Sequence, residues 1–188
     1  TTVDNGSQFE ASGVVNGEYF ISVLGKHQVK NTLSTMLIAN HLRLTDEQIR
    51  ASLAQVVLTD MRMQLINTPH TLFINDAYNA APTSMKAAID FMKTTTLRDE
   101  KWLVLGDMLE LGDDELAFHA SIAESIEADK VAGVCLYGQR MKALYDALLP
   151  TLGERVLHSE DVAPMVERMR EQAGKNSVVL VKASRGMK

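Results

Sequence analysis

Three polar segments of the sequence carry the side chains best suited to chemistry. Residues 75–84 combine one carboxylate, two amides, a phenol and two hydroxyls, residues 106–112 carry two carboxylates, and residues 182–186 hold a lysine, a serine and an arginine. Brought together, these groups supply donors and acceptors for a small zwitterionic ligand, and the two cations suit a carboxylate or a phosphate.

The same residue types also have an ordinary structural use, which stays open for each segment. Strand-to-helix loops use Asp, Asn, Ser and Gly for turns and helix caps, so Thr83 or Ser84 can simply cap a helix. The acidic residues between 107 and 115 suit the positive end of a helix, and a divalent cation there is the less favoured interpretation. No histidine has a metal-binding spacing, so we interpret His119 as a partly buried histidine with satisfied hydrogen bonds, and Cys135 as a core residue.

Each polar segment directly follows a short apolar run. Apolar runs predict strands at 71–74, 102–105, 131–137 and 178–181, with a further short strand at 155–158, and helical periodicity predicts helices at 84–92, 115–126, 139–149 and 161–172. This alternation predicts a doubly wound α/β domain with a mostly parallel sheet. In such sheets ligands bind beyond the carboxyl ends of the strands, where the polar segments fall.

The residues before the α/β pattern are interpreted as the end of a larger unit. A strand is predicted at 19–24 and a helix at 31–42, with Leu33, Met36 and Leu37 on one face, whereas the polar residues before 19 show no clear element. A second helix begins at a capping-box pattern formed by Thr45 and Gln48, and its apolar face continues through Ile49, Leu53 and Val56. We place the boundary with the α/β domain near residues 67–69.

Composition excludes several classes of function. The 188 residues are 46% hydrophobic with a net charge of -5, and they contain neither an export signal nor an apolar stretch of the length that spans a membrane. The acidic excess without a Lys/Arg block disfavours nucleic acid, and the single cysteine fits a reducing compartment. Because the P-loop, dinucleotide and nucleophile-elbow motifs are also missing, residue chemistry alone predicts an α/β ligand-binding domain attached to part of another domain.

Five segments together carry a more specific signal. Residues 25–31, 61–63, 75–85, 105–112 and 181–187 resemble, in order and spacing, the motifs of the Mur ligase family. The resemblance implies that residues 1–68 are the C-terminal part of a central ATPase domain and that residues 69–188 are the Rossmann-like C-terminal domain. It also implies that the P-loop, the magnesium ligands and tight ATP binding belong to parts of the family outside these residues, and that the 188 residues alone are inactive.

The activity that this resemblance implies is amide bond formation in the synthesis of cytoplasmic peptidoglycan precursors. With ATP and Mg²⁺, a full-length member phosphorylates the tripeptide carboxylate of UDP-N-acetylmuramoyl-tripeptide, and the amine of D-alanyl-D-alanine attacks the acyl phosphate. The expected parent is a monomer without nucleic-acid or membrane partners, whereas apolar helix faces favour self-association of the fragment. Another Mur-type or folylpolyglutamate-type amino acid ligase, or a non-catalytic α/β binding domain, remains an alternative.

The resemblance also assigns roles to individual residues. His27 and Asn31 match the segment that faces the adenine, Arg62 matches a catalytic hinge arginine that reaches the γ-phosphate on domain closure, and Asp76 matches the acid that binds the ribose. Residues implied for substrate binding, chiefly of D-alanyl-D-alanine, are Tyr78, Asn79, Asp107, Lys182, Ser184 and Arg185. No metal ligand is expected in this chain.

Overall fold

In a computed structural model, which describes residues 2–3, 6–57 and 59–187, the chain divides into two units, Thr1–Thr59 and Asp60–Lys188. The division precedes the boundary predicted near residues 67–69. The reason is a short strand, Gln64–Asn67, that was not predicted and that pairs within the sheet of the second unit.

The first unit combines a small antiparallel sheet with two helices. Its sheet has the order β1-β2-β3. The sequence predicted only the last of these strands, because the polar residues of the first two lack a clear apolar run. The elements are β1 (Thr2–Val3), β2 (Gly6–Ala11), β3 (Gly17–Ile21), α1 (Lys26–His41) and α2 (Asp46–Ala54).

Side chains from the sheet and both helices form the core of this unit. The capping box at the start of α2 is present, since the Thr45 hydroxyl accepts from the Gln48 backbone N–H and the Gln48 side chain accepts from the Thr45 N–H. Ile49 and Leu53 are buried as predicted, together with Met36 of α1. Leu33 and Leu37, predicted to share the face of Met36, are 39% and 50% exposed within this chain.

The second unit contains a six-stranded sheet of order β4-β5-β9-β6-β7-β8. Only β4 is antiparallel to its neighbour, and every other pairing is parallel, which confirms the predicted α/β class with a mostly parallel sheet. The strands are β4 (Gln64–Asn67), β5 (Leu72–Asn75), β6 (Glu100–Gly106), β7 (Gly133–Tyr137), β8 (Val156–Ser159) and β9 (Ser177–Lys182).

Four helices connect the parallel strands. From β5 to β8 successive crossovers run in one direction across the sheet, whereas the crossover from β8 to β9 runs back, so right-handed connections place the last helix on the opposite face. This is the predicted doubly wound arrangement. The helices are α3 (Pro82–Thr94), α4 (Glu115–Ser121), α5 (Met141–Leu152) and α6 (Ala163–Gln172), and a 3₁₀ segment, Ile122–Ser125, follows α4.

The sheet forms the centre of the core in this unit. Ile74, Leu103, Leu136 and Leu180 are fully buried on four neighbouring strands, which explains why these strands read as continuous apolar runs. Cys135 of β7 is also fully buried, and burial raises the pKa of its thiol to about 11. Across the described residues, no helix combines the length and apolar character needed to cross a membrane.

Candidate functional site

The three polar segments of the second unit meet at the carboxyl ends of β5, β9 and β6, which are neighbours in the sheet. Ser184 joins all three, because its hydroxyl donates to the Ala80 carbonyl at 3.2 Å and accepts from the Leu109 N–H at 2.9 Å. Its backbone N–H also donates to the Asp107 carbonyl at 3.1 Å. With 3% of its surface exposed, Ser184 is a buried residue that connects the loops. Its hydroxyl already donates one hydrogen bond and accepts another within the protein.

A buried ion pair lies beside this connection. The Lys182 ammonium donates to Asp76 Oδ2 at 2.6 Å and to the Asn79 carbonyl at 3.1 Å. The second carboxylate oxygen, Oδ1, accepts from the Met63 N–H at 3.0 Å. The Lys182 and Asp76 side chains are 3% and 12% exposed, so the lysine charge is paired inside the protein and only a small part of the aspartate side chain reaches the surface.

Tyr78 lies within reach of two arginines at the exposed rim. The guanidinium carbon Cζ of Arg62 lies 4.2 Å from the Tyr78 ring centroid, and that of Arg185 lies 5.5 Å from the same centroid. Both distances fall within the roughly 6 Å over which a cation and an aromatic ring attract each other. Both arginines are exposed, and within the described ranges neither forms an ion pair.

An unusual turn presents Arg62. The residues on either side, Met61 and Met63, have φ angles of 61° and 50°, a left-handed region that non-glycine residues seldom occupy. The Tyr78 N–H donates to the Met61 carbonyl at 3.0 Å, and the Met63 N–H donates to Asp76. Hydrogen bonds on both sides of Arg62 therefore tie this turn to the loop that carries Tyr78.

Asp107 is used as a helix cap. Its carboxylate accepts from the backbone N–H groups of Met141 at 2.9 Å and Arg140 at 3.2 Å, at the first turn of α5. The Arg140 guanidinium lies 3.5 Å away and also bonds to Glu115, which raises the pKa of Arg140. Because Asp107 is 2% exposed, its side chain holds α5 rather than facing solvent.

His119 and Ser84 follow the structural interpretation given to them. The Met108 N–H donates to His119 Nε2 at 2.9 Å, so this nitrogen carries no proton, and Nδ1–H donates to the Glu115 carbonyl at 2.6 Å. His119 is fully buried. The Ser84 hydroxyl bonds to both backbone groups of Ala81 at the start of α3.

The first unit holds the other two predicted site residues. Gly25, with φ 96°, is the N-cap residue before α1, and His27 lies in the first turn with its ring close against that glycine. Asn31 lies one turn further along, exposed, and its amide donates to the Gln28 side chain at 3.4 Å. Both lie on α1 four residues apart, a spacing that places them on the same face of the helix.

Eight of the ten predicted site residues lie in the second unit, and the contacts above place them in one loop cluster. Sequence reasoning missed the backbone groups that organise it, since the N–H groups of Met63 and Leu109 have no side-chain signature. Arg140 was also missed, although its position directly before α5 and the acidic run at 107–115 offered a signal. Within the described ranges, no group of three or more His, Cys, Asp or Glu side chains has a geometry suited to a metal ion.

Comparison with protein families gives one match over most of the chain. Residues 61–185 match the family model described as "Mur ligase, glutamate ligase domain". The matched range includes every predicted site residue of the second unit.

Individual relatives agree with this match. The chain is 38% identical over 187 residues to UDP-N-acetylmuramoyl-tripeptide--D-alanyl-D-alanine ligase of Bacillus subtilis (strain 168), covering 98% of this chain and 41% of that protein. The protein of the same name from Haemophilus influenzae is 32% identical over 173 residues, with coverages of 91% and 37%. The chain therefore spans about two fifths of the length of these relatives.

A solved structure shares the fold. The MurF ligase of Thermotoga maritima, determined in complex with ADP, superposes with a TM-score of 0.81 at 20% identity, covering all of this chain and 42% of that one. At this identity the similarity supports the fold alone, and ADP binding is a property of the Thermotoga protein.

Proposed function

The chain belongs to the Mur ligase family, and on that basis we propose that it forms the C-terminal part of an ATP-dependent ligase that adds D-alanyl-D-alanine to UDP-N-acetylmuramoyl-tripeptide. The name of the relatives that are 38% and 32% identical supports this substrate pair. In the proposal the second unit is the C-terminal α/β domain, and the first unit is the end of the central ATP-binding domain. The parent works in the cytoplasm as a monomer.

The reaction requires positioning and charge neutralisation more than covalent chemistry by the protein. A carboxylate oxygen of the tripeptide attacks the γ-phosphorus of ATP, and ADP leaves. The dipeptide amine then attacks the acyl carbon of the acyl phosphate, the tetrahedral intermediate expels inorganic phosphate, and the amine loses a proton. Negative charge accumulates on phosphoryl and carboxylate oxygens, so cations held at the reacting groups lower the barrier.

The exposed groups at the rim are assigned to the ligands. Arg62 approaches the γ-phosphate, and the exposed edge of Asp76 accepts hydrogen bonds from the ribose hydroxyls. Arg185 and Asn79 face the dipeptide. The observation that carries the proposal is that Arg62 and Arg185, distant in sequence, meet at one ring beside the carboxyl ends of β5 and β9.

The buried groups of the same cluster are assigned a supporting role. The hydrogen-bonding groups of Lys182, Ser184 and Asp107 are engaged inside the protein, so in the proposal they fix the loops that carry the exposed residues. His27 and Asn31 remain proposed adenine contacts. The metal and the phosphate cradle are assigned to the part of the relatives that this chain does not cover.

Phosphate release by the intact ligase tests the proposed substrates. The parent protein is incubated with ATP, Mg²⁺ and UDP-N-acetylmuramoyl-tripeptide, and single amino acids replace D-alanyl-D-alanine in parallel reactions. We expect release only with the D-alanyl dipeptide. Release with a single amino acid, or with glutamate and a folate acceptor, would assign the chain to another amino acid ligase.

Arg62→Ala tests the role given to the hinge arginine. The substitution removes a guanidinium from the phosphoryl group, so turnover of the intact ligase should fall at least a hundredfold (about 2.7 kcal/mol), while KM for the dipeptide changes less than threefold. Arg170→Ala, which removes an exposed arginine on α6, is the control and should leave turnover unchanged. Unchanged turnover in Arg62→Ala would exclude this residue from the mechanism.

A further inference from the structure

Two cations share one aromatic ring at the rim of the second unit. Arg62 and Arg185 both lie within 5.5 Å of the Tyr78 ring centroid, measured from Cζ, so their guanidinium carbons are separated by no more than the sum of the two distances. Asp76, which accepts from the Met63 N–H next to Arg62, is already paired with Lys182. The positive charge of the two arginines is therefore not balanced by an ion pair within the described part of the chain.

Both arginines are held in place by their neighbours. Arg62 lies between two residues whose backbone groups are tied to the loop of Tyr78 and Asp76. Arg185 directly follows Ser184, whose three hydrogen bonds anchor it to two other loops. The fold thus fixes the backbone positions from which both arginine side chains reach the Tyr78 ring.

Two like charges separated by no more than about 10 Å repel each other, and the ring contacts offset part of that cost. A cation over a tyrosine ring is attracted to the negative face of the ring, whereas two guanidinium groups repel each other. An anion between or beside them removes this repulsion. A guanidinium also presents two parallel N–H donors that match phosphate oxygens.

We propose that Tyr78 is a positioning residue that holds Arg62 and Arg185 as one site for a phosphate-type anion carrying two or more negative charges. The inference rests on the proposed function and deepens it, because a phosphoryl group is the anion that the reaction forms and releases. Arg185 then serves the phosphoryl group as well as the dipeptide. The ring, and not the hydroxyl, is the part of Tyr78 that the site needs.

Binding of inorganic pyrophosphate to the 188-residue chain tests the site directly. The probe is titrated at constant ionic strength while the ¹⁵N signals of the arginine Nε–H groups are followed, with acetate as the single-charge control. Pyrophosphate should shift the Arg62 and Arg185 signals together and bind at least tenfold more tightly than acetate. Equal binding of the two anions, or a shift of one arginine alone, would overturn the proposal.

Substitutions of the ring separate positioning from mere packing. Tyr78→Phe keeps the ring and should bind pyrophosphate within twofold of the unchanged chain, whereas Tyr78→Leu should bind at least fivefold more weakly. Equal binding by Tyr78→Leu would exclude the ring from the site. Arg62→Gln, Arg185→Gln and the double variant give a second test that leaves the ring intact. If both arginines hold one anion, each single substitution removes most of the binding and the double variant loses little more, whereas two independent losses would contradict a shared site.

The intact ligase distinguishes a failure of this inference from a failure of the proposed function. A parent protein inactive with D-alanyl-D-alanine would remove the proposed substrate, while pyrophosphate binding by the chain would still support the paired-arginine site. In an active parent, Tyr78→Leu should raise KM for ATP or lower turnover at least fivefold, and Tyr78→Phe should restore both. An active parent with unchanged kinetics in Tyr78→Leu would refute the inference alone.

Discussion

The buried ion pair between Lys182 and Asp76 makes the stability of the second unit sensitive to substitution of either residue. Lys182 is almost fully removed from water and Asp76 largely so, and the desolvation cost is offset by their 2.6 Å contact and by further hydrogen bonds from the Met63 N–H and to the Asn79 carbonyl. Removal of one partner leaves the other charge largely buried without an ion-pair partner, which is far more costly than loss of an exposed pair.

Lys182→Met should therefore destabilise the second unit by about 3 kcal/mol or more. Urea unfolding followed by Trp102 fluorescence measures this loss. Lys142→Met is the matched control, because Lys142 and Asp146 form a pair whose side chains are 55% and 56% exposed, and its loss should cost less than about 1 kcal/mol. Similar values for the two variants would contradict the importance of burial.

The thiol of Cys135 should be unreactive in the folded chain. Its pKa is raised from 9.0 to about 11 because burial disfavours the thiolate, which is the reactive form. At pH 8 a thiol reagent should modify the chain only after unfolding, as measured by mass spectrometry with and without urea. Rapid labelling under native conditions would show that β7 opens.

The buried Cys135 thiol should also make the free energy of unfolding decrease at high pH. Between pH 9 and about 11 the Cys135 thiol stays protonated in the folded chain but loses its proton in the unfolded chain. The contribution of this thiol to the free energy of unfolding is therefore fully present below pH 9 and is lost as the pH rises towards 11. Cys135→Ala should unfold with a weaker decline over that interval. An identical decline in both chains would assign the effect to other groups.

At the scale of elements, the sequence predicted those that have a strong internal pattern. The buried parallel strands, such as Gly133–Tyr137 and Ser177–Lys182, read as apolar runs because both of their faces are covered, and helix α2 carries its own capping box. The convergence of the polar loops followed from topology, because neighbouring parallel strands end at the same edge.

Other elements depend on contacts that a linear pattern does not contain. Gln64–Asn67 becomes a strand through antiparallel pairing with β5, and two of its residues are exposed. The contact of Arg62 and Arg185 with one ring depends on the left-handed residues on either side of Arg62. No glycine or proline in the sequence indicates this turn. The structural use of Asp107 was equally hidden, since the helix that it caps begins more than thirty residues later.

Gly138, between β7 and α5, should not tolerate a side chain. Its φ of 108° is unfavourable for other residues, and a Cβ atom would lie 2.6 Å from the Asp107 carboxyl group that caps α5. Gly138→Ala should cost about 2–3 kcal/mol in urea unfolding. Gly174→Ala, at a position with open space and no positive φ, should change stability by less than about 1 kcal/mol.

For the whole chain, the two units should lose their structure in separate transitions. The single tryptophan, Trp102, lies in β6 and reports only on the second unit, whereas far-ultraviolet circular dichroism reports on both. The first unit is smaller and buries fewer side chains, so it should unfold at lower urea. Superimposable curves from the two probes would instead indicate one cooperative molecule.

The central position of β9 affects how the chain folds while the ribosome makes it. β9 is the strand that separates β5 from β6, yet it follows both in the chain by more than seventy residues. Until residue 182 has left the exit tunnel, these two strands present unsatisfied backbone edges to other nascent or misfolded chains. The sheet therefore cannot close until β9 has been made, and chaperones can protect the open edges of β5 and β6 until then.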